Sequence, residues 1–100
     1  MPETIIRFHP EALKEAEIAQ KWYADRSIVA AYAFVSELTQ AVALLKEAPR
    51  MWPKFSTGTR RYPLPRFPFS LIYRIQKNSL VKVIAVMHQK KKPGYWSKRL

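Results

Sequence analysis

The sequence predicts an α+β fold: a helical hairpin packed on a mostly antiparallel, four-stranded twisted sheet, in the order β-α-α-β-β-β. Three observations predict it. Residues 69–76 and 80–88 form two strand-like runs separated by the polar turn Lys77-Asn78-Ser79, the pattern of a β-hairpin. Residues 10–48 instead repeat apolar side chains at helical spacing, in two segments parted by Asp25-Arg26-Ser27. A helical stripe must be buried, and one sheet face is there to receive it.

In chain order, Thr4–Phe8 is a short strand, ended by His9-Pro10. Proline is at home in a first helical turn, and Glu11 suits the positive end of the helix dipole. The first helix runs to about Asp25 on Leu13, Ala16, Ala19 or Gln20 and Tyr23, with Ala12 and Trp22 beside them. Ser27 is placed to cap a second helix, Ile28 to Ala48. Its stripe is Ala31, Phe34, Val35, Leu38, Ala41 or Val42, and Leu45, and Pro49 stops it. Trp22, Tyr23 and Phe34 are read as core. A loop rich in proline follows, then Thr59–Leu64, a strand that Pro63 and Pro65 either confine to a sheet edge or truncate.

Phe69, Leu71, Tyr73 and Ile75 face one way, with Ile72 breaking the alternation. Asn78 tolerates the left-handed backbone of a tight turn. In the next strand Val81, Val83, Ala85 and Met87 share one face, and Leu80, Lys82, Ile84, Val86 and His88 the other. Both faces are apolar at the centre, which makes this strand central in its sheet.

One hundred residues suit a single domain, 1–100. Cysteine is absent, so no disulfide framework or thiolate metal site is expected; nor is any cofactor. No signal peptide and no run long enough to span a membrane is read, which makes a cytoplasmic protein with no membrane partner the expectation. The net charge of +11 is lopsided. All seven acids lie at or before Glu47, among five Lys and Arg, whereas residues 48–100 hold thirteen Lys and Arg and no acid. Such a half expects an anionic partner, nucleic acid or an acidic protein segment.

The basic and aromatic side chains crowd the ends of the hairpin. Arg60, Arg61 and Arg66 offer guanidinium forks for phosphate or carboxylate, or else guard an edge strand against aggregation. His88 is a general acid or base near neutral pH, or a strand-end structural histidine. Lys90, Lys91 and Lys92 are a solvated run or an electrostatic lure, and Arg74 is a further cation on the hairpin. Tyr95 and Trp96 either bind a partner or fold back over the core.

The segments FHPEALKEAEIAQKWY, P-x-x-W-P, RRYPLPRFPFSLIYRI and VKVIAVMHQKKKPGYW resemble the RelE/ParE superfamily of bacterial toxins. These are the toxin halves of type II, plasmid-stabilisation-type toxin–antitoxin modules. The resemblance covers essentially the whole chain and implies the fold already derived, a cognate acidic antitoxin, and one of two activities. RelE-like members cut messenger RNA on the ribosome with basic side chains and a tyrosine; ParE-like members have no nuclease activity and poison DNA gyrase. Matched to the RelE pattern, the tyrosine falls on Tyr95 and one basic position on Arg61, but the others fall on Pro63, Ser70 and Gln89. The departure favours the ParE-like mode. A nuclease would need a rearranged site of Arg61, Arg66, His88 and Tyr95. In either case the surface binding target or antitoxin comprises Arg60, Arg61, Arg66, Arg74, Lys90, Lys91, Lys92, Tyr95 and Trp96. Outside the family, the same charge would suit a basic nucleic-acid-binding module.

Overall fold

The computed structural model describes residues 3–100. Its elements follow the expected order: β1 (Ile5–Phe8), α1 (Pro10–Ala24), α2 (Ile28–Glu47), β2 (Arg60–Pro63), β3 (Phe69–Gln76) and β4 (Leu80–His88). The strands form one sheet of order β1-β4-β3-β2, with β2, β3 and β4 antiparallel and β1 parallel to β4. Local chemistry sets the boundaries. The His9 imidazole accepts from Glu11 N–H and caps α1, Ser27 Oγ accepts from Ala30 N–H and caps α2, and Asn78 and Ser79 both take left-handed backbone in the β3–β4 turn. Proline ends β2, the edge strand of the sheet, whose outer side makes only an isolated bridge between Arg60 and Lys54.

Both helices lie on one face of the sheet. Ala12 and Ala19 of α1 and Phe34, Ala41 and Leu45 of α2 pack there against Leu71, Tyr73, Val81, Val83 and Val86. Tyr23, Phe34, Phe67 and Phe69 close one end of this layer, with Phe67 edge-on to Tyr23 at 5.0 Å and to Phe34 at 5.3 Å. The opposite face carries a second, smaller core of Ile72, Ile84, Ala85, Met87 and Trp96, which explains why Ile72 breaks the alternation of its strand.

Three expectations are corrected here. A β-bulge lies in β4: Ile72 pairs with Ala85 and Tyr73 with Val83, so Ile84 has no partner. Beyond it the faces swap. Val86 joins Val81 and Val83 under the helices, while Ala85 and Met87 join Ile84 on the other side. His88, opposite Phe69, therefore turns to the helix side. Second, Trp22 is not core but 52% exposed, since the short α1 buries only a narrow stripe. Third, α2, with 20 residues and mean hydropathy 1.7, is long and apolar enough by composition to cross a membrane. In the fold it buries one stripe, Ala31, Phe34, Ala41 and Leu45, against the sheet and leaves Ile28, Val29 and Tyr32 exposed.

Candidate functional site

The site begins from an incomplete strand pairing. β1 covers β4 only from Leu80 to Val83, and the His9 N–H then bonds the Val83 carbonyl at 2.8 Å as the chain leaves for α1. From Ile84 onward the β4 edge has no neighbouring strand, and bare edges invite pairing with other chains. Side chains cover it instead. Glu15 of α1 accepts from Val86 N–H at 2.9 Å, and Arg99 donates to the Ile84 carbonyl at 3.1 Å. The same carboxylate takes both ends of the Arg99 guanidinium, at 2.9 and 3.1 Å, and the Tyr95 hydroxyl at 2.7 Å. The C-terminal segment is thus latched to α1 across the open half of β4.

Above this latch lies a groove of about 470 Å³ between α1 and the β4 edge. Ile18, Ala19, Trp22 and Tyr23 line it from the helix; Pro68, Phe69, Val86 and His88 line it from the sheet. Glu15, Lys91 and Tyr95 close the far end. His88 Nδ1 accepts from Lys90 N–H at 3.1 Å. The Lys91 ammonium sits 5.5 Å from the centre of the Tyr95 ring, and Arg99 sits 5.1 Å from it.

The candidate residues divide. His88, Tyr95 and Lys91 meet at the groove; Lys90 and Lys92, next to Lys91 in sequence, are exposed. Arg66 does not join them: its backbone and side-chain N–H groups both bond Glu37 of α2, a carboxylate only 4% exposed. Arg61 faces away from the helices, opposite Ile72, with its Nε on Ser70 Oγ at 3.0 Å and its guanidinium over Phe55. Arg60 ties down the loop, donating to the Arg50 and Trp52 carbonyls at 3.2 and 2.7 Å. Arg74 lies on the same face as Arg61. Trp96 is no part of the surface: it is fully buried, stacked on Phe55 at 5.8 Å, and belongs to the second core.

Glu15, Glu37 and Arg99 escaped the sequence reading. A signal was present for the two acids. Ala12-Glu15-Ala19 and Phe34-Glu37-Ala41 each place a carboxylate at i, i+3, i+7 on a buried stripe, where an acid survives only if paired.

Burial, reinforced by the Glu15 bond and charge, pushes the Tyr95 hydroxyl above the ordinary phenol value. Burial also raises Tyr23, Tyr62 and Tyr73. An unfolded phenol titrates near pH 10. Above that pH the unfolded chain holds fewer protons than the folded one, so stability falls as pH rises. Tyr95→Phe should flatten that alkaline decline in urea titrations; a decline as steep as the wild type's would show that the latch does not hold the phenol.

Two helices on one face of a sheet ordered β1-β4-β3-β2 are a fold shared with solved chains from two toxin–antitoxin systems. The fold matches a chain of the chromosomal ParDE system from P. aeruginosa, at TM-score 0.76 and 16% identity over 88% of this chain and 98% of that one. It also matches a chain of the RelBE2 toxin–antitoxin complex from Mycobacterium tuberculosis, at TM-score 0.55 and 22% identity over 88% and 99%. No curated protein matches in sequence. Residues 6–93 match the family of the ParE toxin of type II toxin-antitoxin system, parDE, and the chain belongs to that family.

Proposed function

We propose that this ParE-type toxin acts by binding DNA gyrase rather than by cutting RNA, and that a cognate antitoxin neutralises it from the groove beside β4. What supports binding over nuclease chemistry is the scattering of the nuclease candidates. Arg61 and His88 lie on opposite faces of the sheet, and Arg66 is held by Glu37. Tyr95 keeps its proton on a carboxylate, where a base would have to give it up. The antitoxin reading rests on the groove's composition: an apolar floor with Lys91 at one end, flanked in sequence by the exposed Lys90 and Lys92, suits an acidic segment with apolar side chains that folds as it binds. The structural relatives from ParDE and RelBE2 systems agree with such a partner.

Purified protein should block supercoiling by gyrase, and its induction should cause filamentation and DNA-damage signals with messenger RNA intact. Codon-linked cuts in primer extension, abolished by His88→Ala with gyrase unaffected, would replace this reading with the endoribonuclease.

A further inference from the structure

The sheet face turned away from the helices carries a row of cations in direct register. Arg7 of β1 pairs with Lys82 of β4, and Lys82 pairs with Arg74 of β3. Their neighbours Ile6, Phe8, Val81, Val83, Tyr73 and Ile75 all point into the core under the helices, so the three cations share the other face. With strands about 4.8 Å apart, the row crosses roughly 10 Å of sheet. None of the three forms an ion pair among the described residues. Six of the seven acids, all but Glu3, sit on or between the helices, across the sheet from the row. Arg61 lies on the same face, but its side chain turns toward Ser70 and Phe55 at the end that the Trp96 core closes.

Like charges directly opposite each other on neighbouring strands destabilise a sheet. Here one lysine has such a neighbour on both sides, where threonine or valine would favour the strand. We propose that this ladder is a binding site for the phosphate backbone of a nucleic acid. An extended chain of phosphates supplies successive anions to a flat row of cations, without reading base sequence. The site is separate from the groove beside β4 and needs no part of the gyrase or antitoxin reading.

The test is fluorescence anisotropy of the intact protein with labelled single-stranded DNA, RNA and duplex, between about 50 and 200 mM salt. Binding should weaken steeply with salt. Lys82→Gln should lower affinity about eightfold near 0.1 M and reduce the magnitude of the log–log salt slope by about 0.9, the signature of one lost phosphate contact on duplex. Arg74→Gln should do the same, while Lys21→Gln on α1 should leave both readings unchanged. Lys82→Gln should also raise Tm by roughly 2–6 °C at low salt, a gain that shrinks as salt screens the wild type. Tighter binding of one nucleic acid would identify the source of the phosphate. Nucleic-acid affinities that ignore both ladder substitutions would overturn the proposal, as would a poly-glutamate peptide being the only ligand sensitive to them. Growth arrest by the Lys82→Gln protein reports on the toxin reading independently.

Discussion

Replacing Glu15 by alanine should unlatch the C-terminal segment and lower stability by about 3 kcal/mol, at the lower end of the range for breaking a buried ion pair. The low end is appropriate because the two side chains keep 21% and 17% of their exposure. One carboxylate serves four donors: Val86 N–H, the Tyr95 hydroxyl and two nitrogens of Arg99. Its loss strands a strand-edge amide, a half-buried phenol and a guanidinium at once, and each unsatisfied buried group costs about 1–3 kcal/mol. In a chain this size the loss corresponds to a Tm lower by roughly 10–20 °C. Arg99→Met should cost less, since Tyr95 and Val86 still bond the carboxylate. The double variant should lose less than the sum of the two, because both remove the same pair. Calorimetry on the four proteins decides it. A Glu15→Ala protein melting within a few degrees of wild type would mean that the latch is surface decoration.

That latch marks the limit of what the sequence conveys. The elements were legible because each carries a local signal: Pro10 and Ser27 open helices, Pro49 closes one, Asn78 permits a tight turn, and Pro63 confines β2 to the edge. The bulge at Ile84 was not legible. Both faces of β4 are apolar around it, so slipping the alternation by one residue leaves no polar side chain out of place. His88 was consequently assigned to the wrong face. The pairing of acids with distant bases was also hidden. Glu15 meets Arg99 across 84 residues and Glu37 meets Arg66 across 29, separations that no periodicity reports. The charge asymmetry was read correctly as an imbalance but too simply as a binding surface. Two of the thirteen cations in residues 48–100 are held by acids from the helices, and Arg60 is occupied with loop carbonyls.

Setting those engaged cations aside, the lysines at 90–92 and the row Arg7-Lys82-Arg74 occupy different parts of the surface. Lys91 lines an apolar groove, with Lys90 and Lys92 exposed on either side of it in sequence, and so fits a partner with both apolar and acidic side chains. The Arg7-Lys82-Arg74 ladder is a row of three cations and fits a ligand that is charge and little else. Electrostatic attraction speeds and orients encounter at both, but only the first can add the burial of apolar surface that gives lasting affinity.

The second large effect should therefore come from the groove's apolar wall. Ile18 and Trp22, one helical turn apart on α1, are 67% and 52% exposed, while Ala19 and Tyr23 behind them hold the core. Trp22 is edge-on to Tyr23 at 5.1 Å and carries the Arg26 guanidinium 3.7 Å above its ring, so it is held in place without being buried. Ordered yet exposed aromatic side chains are what binding hot spots are made of. Trp22→Glu should weaken antitoxin binding at least 100-fold, about 3 kcal/mol, by removing the largest apolar contact and facing an acidic segment with a like charge. Because the side chain is half in solvent, Tm should move by no more than a few degrees. Toxicity should persist, and co-expression of the antitoxin should no longer rescue growth. Lys91→Gln should act differently, slowing association at low salt while leaving the dissociation rate nearly unchanged. Titration of the purified variant with its antitoxin measures both. A Trp22→Glu protein that binds within threefold of wild type and is still neutralised in cells would place the antitoxin elsewhere on the toxin.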